Sequence, residues 1–450
     1  MVATTSSTIG YCEPPDTSTL ELTQVARNDA GIIVIGAGPV GMRLTHDLLA
    51  RKPQLAVHLF GDEACRPYNR IQLSALLAGE INRDDIDLPL PALGNHPNFQ
   101  FTSAAIVDID RERKTVTDSS GTRFHYHKLV LATGARAHIP NIPGIERQGV
   151  FSFRSLKDTE SLYARILRSR HIVVVGGGLL GLEAAKGLLK FNTRVTVVQQ
   201  SSRLMNRQLD EQAATLLEAE VRALGIEVIT HSGVRSVEGF EHVTGVITRD
   251  GETIQCDTVL FCTGITPNLE LARKARIPVG TGILVNDQMR TSDPDIFAIG
   301  ECCEHLGVTY GLVNPGYEQA AVTAEIIAGE PQNKLPRYLG SMAISHLKVV
   351  GTSVCSLGEI SDLPSRPFQR ELQYSDKHNG AYRKLVVLRG RIIGAVAIGN
   401  WPESRRVQEA YQNARKIRFW HLLRFYLTGT LWGKGGDDIG NWPSGTIICQ

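Results

Sequence analysis

Glycines standing between a strand and a helix are the residues of this chain best suited to do chemistry, because they let backbone N–H groups close around an anion. The apolar run Ile32 to Ile35 leads into Gly36-Ala-Gly38-Pro39-Val-Gly41 and then into a helical pattern. The first glycine of such a run permits a tight turn. The second lets the backbone approach a bound group, and the third lets helix and strand pack closely. With a strand before and a helix after, the spacing reads as a cradle for a dinucleotide pyrophosphate. The next strand, Ala56 to Phe60, ends at Gly61-Asp62-Glu63. An acid about 20 residues beyond the glycines is where ribose hydroxyls are held.

The pattern occurs twice. His171 to Val175 leads into Gly176-Gly-Gly178-Leu179-Leu180-Gly181-Leu-Glu183. Two cradles in one chain suggest two dinucleotides, and the natural pair is a flavin and a nicotinamide, between which hydride passes while the protein supplies orientation. The repetition extends further. A strand ending at Leu131 runs into Ala132-Thr133-Gly134, and one ending at Cys262 runs into Thr263-Gly264, at matching places in the two units. The repeat therefore covers whole domains. A later apolar strand ends in Gly300-Glu301, which suits a return to the first domain and its ligand. The second unit differs at the end of its second strand, where Gln199 and Gln200 stand in place of an acid. The charge that would repel the 2′-phosphate of NADPH is gone. Arg203 either turns inward to meet that phosphate or points to solvent while Gln199 bonds the ribose.

These turns need strands and helices to hold them, and the chain supplies them in an α/β order. The pattern predicts two Rossmann-like dinucleotide-binding domains and a smaller α+β domain. Residues 31–150 and 280–332 form the first domain and residues 151–279 the second. Helical periodicity is expected over Leu209 to Leu224 and over Gly316 to Ala328. Residues 335–400 are rich in hairpin signals and form the third domain. Residues 1–30 read as a disordered leader without the apolar core of a signal peptide. Arg405 to Trp432 is basic and aromatic. It reads either as an amphipathic helix for a membrane or partner, or as a helix packed on its own domain by its aromatics, and the second reading is favoured. Residues beyond 432 are expected to be extended.

Composition narrows the class. A formal net charge of +2 gives no general attraction to nucleic acid. No apolar run approaches the ~18 residues that span a bilayer. The eight cysteines make no CxxC pair, so no metal site or disulfide framework is expected. A reducing cytoplasm fits.

The two fingerprints, Ala132-Thr-Gly134, Thr263-Gly264 and Asp295-Ile-Phe-Ala-Ile-Gly300-Glu301 together resemble the FAD-dependent pyridine-nucleotide oxidoreductases, over about residues 30 to 400. Tyr68-Asn-Arg70-Ile-Gln-Leu-Ser74, the second fingerprint, Arg207-Gln-Leu-Asp210 and Val313-Asn-Pro-Gly-Tyr317 are most similar to one branch. That branch is the flavin module of assimilatory NAD(P)H nitrite reductases and of the electron-transfer subunit of assimilatory nitrate reductases. The resemblance implies that FAD lies on the first unit, with Arg70, Ser74 and Tyr317 adding to the contacts of Gly36–Gly41, Asp62, Glu63, residues 132–134, Gly300 and Glu301. NAD(P)H lies on the second, at Gly176, Gly178, Leu179, Leu180, Gly181, Glu183, Gln199, Arg203, Thr263 and Gly264. Glu183 is either a nicotinamide contact or a carboxylate that merely favours its helix N-terminus.

Departures from the family are informative. Disulfide reductases carry CxxxxC soon after the first fingerprint, whereas here that stretch holds only Cys65. Peroxidases and coenzyme A-disulfide reductases place a cysteine near the position of Ser74, and ferredoxin and rubredoxin reductases often have lysine where Ala75 stands. The resemblance thus implies hydride transfer from NAD(P)H to FAD without a thiol relay or a side-chain acid or base. Electrons then pass to an iron–sulfur or haem partner, in nitrite or nitrate assimilation. The rivals are a reductase for a separate ferredoxin or rubredoxin, and a slow-turnover flavin-bound sensor. Relatives often continue into a [2Fe–2S] domain opening with Cys-x-Cys, so Cys449 is either the first ligand of such a domain or an unrelated cysteine. A homodimer is left open.

Overall fold

The computed structural model describes residues 31–432 except 93, 330–334, 343, 350, 361–365 and 377–379. The expected leader and extended tail lie outside the described residues, as does Cys449.

The first unit opens with β1 (Gly31–Ile35), α1 (Pro39–Arg51), β2 (Val57–Gly61), α2 (Leu73–Leu77), β3 (Phe99–Ser103), β4 (Ile106–Asp110), β5 (Thr115–Asp118) and β6 (Arg123–Leu131). β3, β2, β1 and β6 are parallel neighbours. β4 and β5 fold back antiparallel on the first half of β6. Ile32 to Ile35 are all buried, as a strand covered on both faces requires.

β7 (Ala135–Ala137) leads into the second unit. This unit contains β8 (Val150–Ser152), α3 (Leu156–Ile166), β9 (His171–Val175), α4 (Leu179–Leu188), β10 (Arg194–Val198), α5 (Glu211–Ala223) and β11 (Glu227–Ile229). An antiparallel ribbon follows, β12 (Val234–Gly239), β13 (Val243–Thr248) and β14 (Thr253–Gln255), and then β15 (Thr258–Phe261). The parallel order is β11-β10-β9-β15-β8. β16 (Ile265–Pro267) pairs with β7, so the two connections between units form one short ribbon. β12 was not expected from sequence. Val234 and Val237 are its buried apolar residues, and a bulge between Val234 and Ser236 breaks the two-residue alternation.

The chain then returns through α6 (Glu270–Lys274), β17 (Ile283–Val285), β18 (Ile296–Ala298), β19 (Cys303–His305) and α7 (Val313–Ala328). β18 pairs with β6 and completes the first sheet. α7 begins at Val313, three residues before the expected Gly316, because Pro315 is tolerated within a first turn.

The third body is an antiparallel sheet of β20 (Ile344–Val349), β21 (Thr352–Gly358), β22 (Gln369–Asp376), β23 (Ala381–Leu388) and β24 (Arg391–Ile398), in the order β20-β21-β24-β23-β22. The single basic aromatic helix expected here is two helices, α8 (Ser404–Gln412) and α9 (Phe419–Thr428). The break falls at Ala414, whose φ of 47° is left-handed. Val407, Leu422, Phe425 and Trp432 share a core with Leu357, Leu385 and Trp401 of this body. Phe419, Trp420, Leu423, Tyr426 and Leu427 remain exposed. The other sheet face is continuous with the second unit's core: Tyr382, Val396 and Ile398 cluster with Leu209, Ala213 and Leu217. The buried Tyr382 hydroxyl donates to Asp210 at 2.6 Å, and Asp210 also caps α5 by accepting from the Ala213 N–H at 3.1 Å.

Candidate functional site

A cavity of about 390 Å³ opens at the carboxyl ends of the first sheet's strands. Its floor is the first glycine turn. Gly36 has φ +115°, and a Cβ there would lie 2.1 Å from the Ala132 carbonyl oxygen. A Cβ on Gly41 would lie 1.9 Å from the Gly36 carbonyl oxygen. These two glycines are demanded by the protein itself. Gly38 is different: a Cβ there would meet only the Arg70 guanidinium, at 3.8 Å. Its bare backbone faces open space at the N-terminus of α1, as a cradle for a phosphate group requires. Pro39 is the first residue of α1.

Asp62 and Glu63 both line the cavity but take different roles. Asp62 is exposed at the end of β2. Glu63 accepts from the Tyr68 hydroxyl at 2.6 Å and from Arg70 at 3.0 Å, and so holds Arg70 beside the Gly38 backbone. Tyr68 in turn accepts the Leu156 N–H at 2.9 Å. Ala132, Thr133, Gly134, Gly300 and Glu301 line the far wall. The Gly300 N–H donates to Gln319 of α7 at 2.7 Å. Glu301 pairs with Arg154, which also lines the cavity. Ser74 and Tyr317 stand outside the lining: Ser74 reaches into the second unit, and the Tyr317 ring lies beneath Arg43.

The second turn repeats the first. Gly176 has φ +115° and a Cβ would lie 2.3 Å from the Cys262 carbonyl oxygen, while Gly181 would lie 1.9 Å from the Gly176 carbonyl oxygen. A Cβ on Gly178 would meet no protein atom within 4 Å. Leu179, Leu180 and Glu183, in the first turns of α4, line the same cavity as Gly38 and Glu63. The structure thus brings the first cradle and the start of the second helix to one space. Glu183 accepts from the Ser74 hydroxyl at 2.8 Å across the two units. Burial pushes its carboxyl above the usual range, and the Ser74 hydrogen bond only partly offsets this.

The other residues expected in the second unit lie apart from that cavity. Gln199 accepts the Gly177 N–H through Oε1 at 2.7 Å and donates through Nε2 to Ser201. Arg203 donates Nε–H to the Leu209 carbonyl at 3.1 Å. Thr263 donates to the His138 carbonyl, and Gly264, at φ +110°, accepts the His138 N–H at 2.9 Å. Asn268, beyond the second Thr-Gly turn, is bound to the first, donating its amide to the Thr133 carbonyl at 2.9 Å and accepting from Thr133 Oγ1 through its own backbone carbonyl at 3.1 Å.

Arg154, Tyr68 and Asn268 were missed as site residues by sequence reasoning. Arg154 and Asn268 act through partners more than 130 residues away, so no local spacing marks them, while Tyr68 joins the nearby Glu63 to the distant Leu156. Among the described residues, no group of three or more His, Cys, Asp or Glu is placed to hold a metal, and no helix is long and apolar enough to cross a membrane.

Comparison with known proteins places this geometry. Residues 30–325 match the family described as pyridine nucleotide-disulphide oxidoreductase. Residues 344–415 match the rubredoxin NAD+ reductase C-terminal domain. The chain is 36% identical over 388 residues to the nitrite reductase [NAD(P)H] of Bacillus subtilis, covering 86% of this chain and 48% of that protein. It is 34% identical over 423 residues to the assimilatory nitrate reductase electron transfer subunit of Bacillus subtilis, covering 93% and 53%. The chain therefore spans about half the length of these curated relatives. Among solved structures, a ferredoxin reductase from Rhodopseudomonas palustris superposes with a TM-score of 0.73 at 27% identity, covering 82% of this chain and 90% of that one.

Proposed function

The chain belongs to the pyridine nucleotide-disulphide oxidoreductase family, and from that premise we propose that it is an FAD-dependent NAD(P)H oxidoreductase delivering electrons to a metal-centre acceptor in nitrite or nitrate assimilation. The observation that carries this is the pair of open glycines. Gly38 and Gly178 have no protein neighbour that forbids a side chain, whereas Gly36, Gly41, Gly176 and Gly181 do. A bound pyrophosphate supplies the missing reason for glycine at both positions, so the residues fit two dinucleotides. FAD, when bound, supplies the conversion of a two-electron hydride into single electrons.

The chain's own residues bind, orient and exclude water. Arg70, fixed by Glu63, offers a cation beside the first cradle. Asp62 is free to accept from ribose hydroxyls. The Arg154–Glu301 pair puts mutually compensating charges on the far wall. Leu179 and Leu180 supply an apolar surface from the second unit where the two meet. Glu183, its carboxyl raised by burial, accepts from the Ser74 hydroxyl and ties the start of α4 to α2 at the cavity edge. From α1 through Ala78 the sequence holds a single cysteine, Cys65, so no dithiol pair stands there to relay electrons.

A second reading, reduction of a separate rubredoxin or ferredoxin, is favoured by the match of residues 344–415. The test is reduction of the FAD-loaded protein by NAD(P)H under anaerobic conditions, followed by mixing with candidate acceptors. Bleaching of the flavin, reoxidation by an iron–sulfur or haem nitrite reductase domain, and resistance to thiol alkylation are expected. Faster reoxidation by rubredoxin or ferredoxin would favour the second reading. A protein that takes up no FAD would sink both.

A further inference from the structure

The sequence points to Arg203 as the cation at the end of the second unit's second strand, but the structure turns its Nε–H to the Leu209 carbonyl at 3.1 Å. Another arginine occupies that corner. Arg249 follows β13, and its backbone N–H donates to the Gly233 carbonyl at 2.7 Å. Its side chain lies across Gly233: a Cβ there would sit 3.2 Å from Arg249 Nε and 3.6 Å from Gln200 Cβ. Gly233 therefore lies between the Arg249 side chain and Gln200, and its missing side chain leaves them room. The corner is zipped together by the backbone, Ser232 N–H to the Gln199 carbonyl at 3.2 Å and His231 N–H to the Ser201 carbonyl at 2.9 Å. Arg249 is exposed, and its guanidinium has no hydrogen-bond or ion-pair partner among the described residues. No carboxylate stands at residues 199 to 202 to neutralise it or repel an anion.

We propose that Arg249, and not Arg203, is the residue that recognises the 2′-phosphate of NADPH. The inference rests on the second unit being the nicotinamide-nucleotide site. An unpaired guanidinium beside the uncharged strand end matches a ribose monophosphate, which it can meet with two parallel N–H bonds. The same corner offers a plain ribose only neutral amides and hydroxyls. Arg203 is left to hold the loop between Gln199 and α5.

The test titrates the full chain with adenosine 2′,5′-bisphosphate and with 5′-AMP by calorimetry, so that no turnover is needed. The wild type is expected to bind the bisphosphate about tenfold or more tightly than 5′-AMP. Arg249→Ala should abolish that preference while leaving 5′-AMP binding unchanged, and Arg249→Lys should restore part of it. Gly233→Ala, which crowds the guanidinium, should weaken the bisphosphate alone. Arg203→Ala should weaken both nucleotides alike if it folds. A wild type that does not distinguish the two, or a preference that survives Arg249→Ala, overturns the proposal while the nicotinamide site stands. Binding of neither nucleotide overturns the site itself, and the proposal with it.

Discussion

The two nucleotide units are near copies at their glycine turns and unlike at the ends of their second strands. In both, a left-handed glycine lies against the carbonyl that ends a neighbouring strand, Ala132 in one and Cys262 in the other. In both, the third glycine packs on the first at the same 1.9 Å distance from a would-be Cβ. These distances are set by how a parallel strand enters a helix, and they do not depend on what is bound. The strand ends differ in their side chains. Glu63 is negative and engages Tyr68 and Arg70, while Gln199 is neutral and engages the turn itself through the Gly177 N–H. Backbone geometry is thus duplicated and side-chain chemistry is not.

The sharpest way to break the comparison is at the left-handed glycines. Gly36→Ala and Gly176→Ala each force a Cβ onto a backbone carbonyl and strain a φ of +115°. Each should cost more than about 4 kcal/mol, and most of either protein should be insoluble or melt far below the wild type. If one unit tolerates its alanine and the other does not, the two turns are not equivalent. Gly38→Ala and Gly178→Ala should behave oppositely. The protein has room for both, so the apoprotein should melt within about 2 °C of the wild type, an effect under roughly 0.5 kcal/mol. Gly38→Ala should weaken FAD at least tenfold, and Gly178→Ala should weaken NAD(P)H while leaving FAD bound. Loss of FAD from Gly178→Ala would show that the cradles are not independent.

The next contrast is between two half-buried aspartates, each standing just before a parallel strand. Asp295, before β18, is held at about 2 by hydrogen bonds from Lys114 and Lys128 and by their charges, against modest burial. Burial pushes Asp257, before β15, up, but donors including the Ser169 hydroxyl and the Arg170 N–H bring it below the usual range. A depressed carboxylate stabilises the fold above its unfolded value near 4, and that stability is lost as pH falls through the folded value. Asp295→Asn should therefore cost about 1–2 kcal/mol at neutral pH, with the difference from wild type closing below about pH 2 in urea titrations. Raising salt should narrow the gap for Asp295, whose hydrogen-bond donors are charged, more than for Asp257→Asn, whose close donors are neutral and whose charged neighbour Arg165 stands 3.9 Å away. Equal salt sensitivity would show that the lysines contribute no net attraction.

What could be read beforehand follows the same division. The turns were legible because glycine spacing, an apolar strand and a helical pattern are all local. The repeat was legible because Ala132-Thr-Gly134 and Cys262-Thr-Gly264 end matching strands. The pairing of Arg154 with Glu301 was not legible, because it joins residues 147 apart in sequence. β12 escaped because its bulge breaks the alternation that marks a strand. The basic aromatic segment was half legible: Leu422 and Phe425 pack inward as expected, yet the break at Ala414 is a backbone event without glycine or proline. Arg203 shows what spacing leaves open. Its place just past Gln199 is plain in the sequence, but the direction of its Nε–H is set by the Leu209 carbonyl, which no spacing rule names.

The smallest effect expected comes from making the second strand end resemble the first. Gln199→Glu keeps an acceptor for the Gly177 N–H, now charge-assisted, and loses only the donor to Ser201. The turn should therefore stand, and the apoprotein should keep its melting temperature. The new charge lies where a 2′-phosphate would be repelled and 2′- and 3′-hydroxyls accepted. In solvent near a protein surface, such a repulsion is of the order of 1 kcal/mol, hence roughly fivefold. The ratio of kcat/KM for NADPH to that for NADH should fall by about that factor, through KM and with kcat unchanged. The shift should persist in Arg249→Ala, since repulsion by Glu and attraction by Arg249 act on the phosphate from different residues. An unchanged ratio, with the hydrogen bond to Gly177 intact, would mean that the strand end does not face the ribose, and that the two units differ in fold more than their glycines suggest.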